Sequence, residues 1–332
     1  MEARKFGVAI LVLVGIITAS FVVAEMKNGL NVGNADAAPI GGNTLYVGGS
    51  GPNNYTKIQD AIDNASDGDT IFVYNGIYHE RVSISKSINL IGKDEYETVI
   101  DGDRADDPII DICTNWVNIS NFTVRNSNNS LGAILMYPGG SHNTISYCYV
   151  TKNSDGMAIR YSNNVVSNCT ITNNTRYGIY LYGDAHRIIS HTKIEHNTWG
   201  IGGDFGDTSI LYCNISHNTN GINWQGNCNN NTIWRCCFYN NDNGIYVYDR
   251  DNDNNEIIEN LFLDNGNGIY IWTSSSGSSN NHIYHNNFIN NTQNAYDEGN
   301  NIYHKGYPIA GNYWDNFDEP NEGAYDNNSD EI

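Results

Sequence analysis

Over roughly residues 140–295 the apolar positions fall into columns rather than onto a helical stripe. Asn153, Asn174, Asn197, Asn218, Asn241, Asn265 and Asn291 serve as register marks. Eight positions before them stand Ile145, Val166, Ile189, Ile210, Ile233, Ile257 and Ile283, and three positions before them Val150, Ile171, Ile194, Ile215, Phe238, Phe262 and Phe288. Each of the first six marks is followed by a glycine: Gly156, Gly178, Gly200, Gly221, Gly244 and Gly268. Beyond it apolar and variable positions alternate, as in "GIYVY" and "GIYIW". The glycines are 22, 22, 21, 23 and 24 residues apart, with Gly132 one repeat further upstream. Short alternating segments rich in β-branched residues, separated by Asn and Gly turns and leaving no room for a helix, predict one β-coil per repeat.

Equivalent residues of stacked coils lie about 4.8 Å apart, so a column of Asn becomes a ladder of amides, and Asn also tolerates the left-handed turn conformation. A second ladder is expected at Asn143, Asn164, Asn231, Asn255 and Asn281. The fold class is therefore all-β, a single-stranded parallel β-helix with a period of about 22–24 residues. Another column holds Cys148, Cys169, Thr192, Cys213, Cys236, Asn260 and Asn286. In-register neighbours on parallel strands suit the disulfide torsion poorly, so these cysteines are expected as buried free thiols, behaving as small hydrophobes. Trp224 shares an inward column with Gly203, a large residue beside a small one. Upstream, Ile58, Ala61, Ile62 and Ala65 share one helical face, which predicts a short amino-terminal cap helix closing the solenoid.

Charge and the chain ends refine this picture. With 17 basic and 37 acidic side chains, the formal charge of −20 argues against a nucleic-acid partner. Arg4 and Lys5 precede an uncharged apolar run from Phe6 to Ala24, which reads as an export signal or an uncleaved membrane anchor. Residues 1–38 are assigned to that segment and its linker, 44–310 to the β-helix, and 311–332 to an acidic cap or tail. The expected location is extracellular or at the cell surface, with membrane contact only through the amino-terminal segment, and the expected state is a monomer.

The opening "YTKIQDAIDNASDGDTIFVYNGIYHERVSISKSINLIG", the repeated "NxxGI" coils and the close "GNYWDNF" resemble the NosD-like right-handed parallel β-helix proteins. These lie within the pectate-lyase-like superfamily of carbohydrate-binding and sugar-hydrolysis domains. The resemblance covers roughly residues 44–320 and implies a right-handed solenoid. "NGIYHERV" also looks like the start of pectin methylesterases, but the paired aspartates and Gln-x-Arg of that family are missing. So is the Gly-His-Gly of polygalacturonases. What the resemblance implies for function spans lyases, hydrolases, esterases, adhesins and copper-site accessory proteins.

The outward positions after each glycine bring Arg160, Tyr182, Asp204, Gln225, Tyr248 and Trp272 into one column and Tyr180, Asn223, Tyr246 and Tyr270 into its neighbour. Aromatic faces that stack on sugars, with amides and charges between them, make this the expected glycan-binding face. Candidate chemistry is Asp204 with Asp207 as an acid and base pair near Arg160, Asp184 and His186. His196 and His217 share a column on adjacent coils and are candidate transition-metal ligands together with Glu195. In "DRDNDNNE", Asp249, Asp251 and Asp253 are candidate calcium ligands, although the EF-hand pattern fails because its sixth and twelfth positions are Asn254 and Asn260. No cofactor is required by this reading, calcium being the candidate ion. The leading function is a glycan-binding surface protein that is not catalytic, followed by a polysaccharide lyase or glycoside hydrolase and by a NosD-like copper-site accessory protein.

Overall fold

The computed structural model describes residues 42–136, 139–160, 163–248, 252–272, 277–304 and 311–315. The amino-terminal segment 1–38 and most of the expected tail, residues 316–332, lie outside the described residues. Among those described, no helix is long and apolar enough to cross a membrane.

Among the described residues, a first strand, Thr44–Val47, and one short helix, Ile58–Asn64, precede a succession of strands that come in threes. In the coil that begins at Tyr177, the chain runs along a first strand, bends near Asp184 into a second that ends at Ser190, and turns into a third, Lys193–Glu195. It then starts the next coil at Trp199. Equivalent strands pair in parallel and in register, so that Ile179, Ile201, Ile222, Ile245 and Ile269 line up across five coils. First and second strands merge into one 20-stranded sheet because Tyr177–Ser190 and Trp199–Leu211 run through the corner between them, while the third strands make an 11-stranded sheet. The aliphatic and aromatic columns read from the sequence point inward and are buried throughout. Inside the third sheet Phe238, Phe262, Phe288 and Trp314 form a continuous stack with ring centroids 4.7, 4.7 and 4.4 Å apart.

The corners share one construction. A residue in the left-handed region is followed by one whose side chain turns inward and bonds to its counterpart on the next coil. After the third strand, Lys152, Asn173, His196, His217, Asn240, Asp264 and Asn290 have φ between 53° and 58°. They precede the expected ladder, Asn153 to Asn291. In that ladder the Oδ1 of each Asn accepts both the backbone N–H and the side-chain Nδ2 of the Asn one coil earlier, as Asn218 does from Asn197 at 2.9 and 3.2 Å. Asn218 Nδ2 also donates to the carbonyl of Ile194 at 3.1 Å. The second ladder runs through Asn143 and Asn164, then through Arg187 and Thr208, and resumes at Asn231, Asn255, Asn281 and Asn301.

The cysteine column is a third ladder. Cys236 N donates to Asn260 Oδ1 at 2.8 Å, Asn260 N to Asn286 Oδ1 at 2.9 Å, and Asn286 N to Asn312 Oδ1 at 3.0 Å. The thiols take the same places more weakly: Cys213 N donates to Cys236 Sγ at 3.4 Å, and Cys236 Sγ donates to Ile210 O at 3.4 Å. A thiol is both a weak donor and a weak acceptor, so these residues are rungs as well as core filling. All seven cysteines are free. Burial holds the Cys236 thiol well above its ordinary range and pushes Cys228 up to about 12, which keeps both in the unreactive thiol form.

At the amino-terminal end, Ile58, Ala61, Ile62 and Ala65 are buried against the first coils, as their spacing requires. The Glu80 carboxylate accepts the helix-start N–H groups of Ile58 and Gln59 at 2.9 and 3.1 Å, in place of a local side-chain cap. At the other end the expected tail from residue 311 begins with a piece of solenoid. Asn312 is the last described rung of the cysteine-and-asparagine ladder, and Tyr313–Trp314 pairs with Asn287 and Phe288.

Candidate functional site

The first-strand sheet carries the outward columns as their spacing predicts. Tyr182 pairs with Asp204, Tyr246 with Asn223 and Tyr270, and Tyr248 with Trp272. The orientation of the rings changes what the columns can do. Tyr246, Tyr270 and Tyr296 stack on one another with centroids 5.6 and 4.8 Å apart and planes within 18°, and Tyr248 stacks on Trp272 at 5.1 Å and 22°. Rings stacked across neighbouring coils hide their faces from solvent. Within the stack the ring faces meet one another, and at its start Tyr246 and Tyr248 stand next to a coil with no aromatic residue in either column. These two rings lie side by side with planes within 17°, so together they form one wall.

Two coils before that wall carry no aromatic residue in either column. Their outward positions are Gly202 and Asp204 on one coil and Asn223 and Gln225 on the next. Tyr180 and Tyr182 close the other side. Three strand spacings separate Tyr182 from Tyr248, about 14 Å. The result is an open trough across the sheet with tyrosines at both sides and a polar floor. Tyr182 and Tyr248 are 54% and 49% exposed, against 5% for the floor residue Asn223.

Tyr177 completes the floor. It sits in the one coil with an extra residue between the Asn rung and the glycine, "NTRYG" against "NTWG" and "NTNG". Its ring lies over Gly202, where a Cβ would come within 2.9 Å of Tyr177 Cε1. The hydroxyl reaches Gln225 Nε2 at 2.5 Å. Trp199 packs against the same ring at 4.5 Å and Tyr180 meets it edge-on at 5.1 Å. Burial raises the Tyr177 and Tyr180 phenols above their ordinary value, so both remain neutral hydrogen-bonding groups.

Charged groups gather at the Tyr180 and Tyr182 side. Arg160 occupies the coil before Tyr182, and its Nε is buried without a hydrogen-bond partner among the described residues. Arg187, almost fully buried, donates from Nη2 to the Tyr182 carbonyl and from Nη1 to Thr208 Oγ1 at 3.4 Å, while its Nε also lacks a partner. Burial pulls its guanidinium down to about 10. Asp155, just before the first strand of an earlier coil, is buried with Arg176 Nε at 3.6 Å and accepts the Tyr177 N–H at 3.3 Å. Burial raises its carboxyl to about 6. Neither Arg187 nor Asp155 stood out in the sequence, since each lies in a column that departs from Asn at more than one coil, Arg187 together with Thr208 and Asp155 together with Tyr177 and Trp199.

The candidate acid and base pair is spread along its strand. Asp204 stands on the open face, Phe205 between them is buried, and Asp207 occupies the left-handed corner with φ 50°. No hydrogen bond joins the two among the described residues. Asp184 lies beside Gly206 on the adjacent coil, and both Asp184 and His186 are exposed at the same corner. His196 and His217, by contrast, come together: their ring centroids are 4.8 Å apart, and with Glu195 they place three ligand atoms within 4.8 Å of one another. Of the calcium candidates, Asp249 and Asp251 lie outside the described residues. Asp253 Oδ1 already accepts the N–H and hydroxyl of Ser279, at 2.6 and 3.0 Å.

A family model described as "Right handed beta helix region" matches residues 109–202 and 132–288, together more than half of the chain. No curated protein matches it. Among solved structures, pectate lyase Pel9A is similar with a TM-score of 0.61 and 16% identity, covering 80% of this chain and 79% of that one. The Dettilon tailspike protein gives 0.54 and 15%, over 69% of this chain and 50% of that one. Open reading frame 18 of Geobacillus virus E2 gives 0.53 and 16%, over 72% and 56%. The chain thus spans about half the length of the two viral proteins. At these identities the likeness is one of fold.

Proposed function

Because this chain belongs to the right-handed β-helix family, we propose that it is an exported protein that binds polysaccharide or a cell-envelope glycan without turning it over. The site is the trough between Tyr182 and Tyr248. The observation that carries this reading is the two-coil interruption of the aromatic columns. It leaves ring faces at a wall and hydrogen-bonding groups, from Asp204, Asn223, Gln225 and the Tyr177 hydroxyl, on the floor. A sugar has this same division, with C–H faces that pack on aromatic rings and hydroxyls that need polar partners. The fold it shares with a pectate lyase and a tailspike protein supports a glycan ligand.

Export, with residues 1–38 as signal or anchor, belongs to the same proposal. A scaffold set almost entirely by backbone pairing and rungs suits a site that holds its ligand rather than closes on it. The separation of Asp204 from Asp207 favours binding over hydrolysis. The test is a binding screen over uronate and neutral polysaccharides, with unsaturated products and new reducing ends followed in the same samples. Tyr248→Ala is expected to weaken binding roughly two- to tenfold, the equivalent of one lost aromatic packing contact. Gln225→Trp, which fills the floor, is expected to abolish it. Binding unchanged in both variants sinks the trough, and turnover that disappears in Asp204→Ala replaces the reading with an enzymatic one.

A further inference from the structure

The geometry points to a second site, independent of the trough: a divalent transition-metal site at the corner after the third strand, formed by Glu195, His196 and His217. The two histidines occupy the left-handed position of consecutive coils, with φ of 54° and 56°. The coils before and after carry Asn173 and Asn240 there, so the turn itself does not ask for an imidazole. The backbone beneath is fixed, since His196 N donates to Ser216 O at 3.3 Å, His217 N to Tyr239 O at 3.1 Å, and the following asparagines are rungs of the unbroken ladder. The imidazoles are exposed, 4.8 Å apart between centroids, and the Tyr239 ring meets His217 edge-on at 5.4 Å. Glu195 belongs to the adjoining strand. Lys193 Nζ holds its Oε1 at 2.8 Å and so orients the carboxylate.

Two donors on one tetrahedral ion stand roughly 3.3 Å apart, from bonds of about 2.0–2.1 Å. The three ligand atoms already lie within 4.8 Å of one another, the two imidazoles on exposed side chains and the carboxylate on a half-buried one, so the remaining approach is a matter of side-chain rotation rather than backbone change. Two imidazole nitrogens and one carboxylate form a donor set for Zn2+, Ni2+ or Cu2+ and a poor one for Ca2+ or Mg2+, which take oxygen ligands. The other such cluster among the described residues, His79, Asp101 and Asp103, differs on this point. It supplies one imidazole rather than two, and both oxygens of the buried Asp101 are already engaged, by Arg125 Nε at 2.7 Å, Asn126 Nδ2 at 2.9 Å and the Asp103 N–H at 3.1 Å, whereas Lys193 holds only Oε1 of Glu195. A metal at the histidine pair would tie two adjacent coils together across the corner.

The experiment is calorimetric titration of the untagged full chain with Zn2+, in a Cys113→Ser background that removes the exposed thiol. One ion per chain is expected, undisturbed by excess Ca2+, together with a rise in the unfolding midpoint. His196→Asn and His217→Asn install the residue that neighbouring coils carry, so folding is preserved. Each is expected to weaken Zn2+ binding at least tenfold and to erase the midpoint shift, and Glu195→Gln to weaken it severalfold. No binding at 100-fold excess of Zn2+ over chain overturns the site, as does binding that survives in the His196→Asn and His217→Asn double variant. Because no residue of the trough takes part, loss of glycan binding and loss of metal binding separate cleanly.

Discussion

Two arcs of the same coil behave differently. From the rung at the first corner to the rung after the third strand the chain takes ten residues in seven successive coils: Asn143 to Asn153, Asn164 to Asn174, Arg187 to Asn197, Thr208 to Asn218, Asn231 to Asn241, Asn255 to Asn265 and Asn281 to Asn291. From the glycine of the first strand to the rung at the first corner it takes eight residues in Gly156 to Asn164, ten in Gly221 to Asn231 and thirteen in Gly268 to Asn281. Nearly all the drift of the repeat lies in this second arc. The fixed arc holds the Asn ladder, the cysteine ladder and the Phe stack, each of which requires identical geometry one coil away. The variable arc carries Tyr182, Asp204, Gln225 and Tyr248, and its ladder is interrupted by Arg187 and Thr208. Where every coil must match its neighbour, inward side chains are committed to scaffold and only outward ones, such as His196 and His217, are left to meet an ion. Where the length is free, a broader set of outward residues is available to meet a ligand.

The sharpest way to break this contrast is to lengthen each arc by one glycine. Inserted between Tyr239 and Asn240, in the fixed arc, it displaces the rung Asn241 and flips the inward and outward faces beyond it. The expected loss is about 4 kcal/mol or more from unmet rung bonds alone. Inserted between Gly226 and Asn227, in the variable arc, it should cost under about 1 kcal/mol. Denaturant midpoints measure both, and equal losses would dissolve the distinction. A smaller probe is Asn218→Ala. It strands the Asn197 N–H and removes the Asn218 amide from the carbonyls of Ile194 and Ser216, while Asn197 Nδ2 keeps the carbonyls of Ile171 and Glu195. A cost of about 3 kcal/mol is expected, and a cost under 1 kcal/mol would mean that water replaces the rung.

The fixed arc was readable from one sequence because it repeats: Ile145 and Val150 and their columns, the Asn rungs, and the His196 and His217 pair all follow from counting. The cysteine column was read as packing rather than as a ladder, since Cys, Thr and Asn share no apparent chemistry until their partners one coil away are known. The trough was not readable. That Tyr246, Tyr270 and Tyr296 spend their faces on each other is a matter of side-chain orientation, and periodicity carries no information on it. In "DRDNDNNE" the division into scaffold and loop goes further than the pattern implied. Asn252 is fully buried and accepts Cys228 N at 3.0 Å, and Asp253 is bound to Ser279.

Asp155 tests the rim where the first strand begins. Later coils have Asn220, Asn243 and Asn267 at this position, linked amide to amide at 2.8 and 2.7 Å. Burial raises the Asp155 carboxyl to about 6 from 3.8. The folded chain therefore keeps a proton there that the unfolded chain releases, so the stability this group contributes is fully present below about pH 4 and is lost as pH rises from about 4 through about 6. The full loss at pH 7 is about 2 to 3 kcal/mol. Asp155→Asn should recover that amount at pH 7 and nothing at pH 4, read as the difference between variant and parent at each pH. A difference that does not change with pH would show that Arg176, 3.6 Å away, already compensates the charge.

The smallest effect is expected at Arg187, where the variable arc departs from its own ladder. A guanidinium stands in a column otherwise filled mainly by Asn, with one buried N–H unpartnered and no carboxylate within ion-pair distance among the described residues. Replacing a buried charge by a neutral residue is often neutral or stabilising, though the shorter side chain leaves a void. Arg187→Asn, which restores a rung between Asn164 and Thr208, is therefore expected to raise stability by only about 1 kcal/mol. Glycan affinity should move the other way, because Arg187 Nη2 holds the Tyr182 carbonyl and so the side of the trough. Unfolding and glycan titration on the same variant separate the two effects. A gain in stability with weaker binding assigns the irregular rung to the site, whereas a loss of more than 2 kcal/mol with binding unchanged would make Arg187 part of the scaffold and move the boundary between the two arcs.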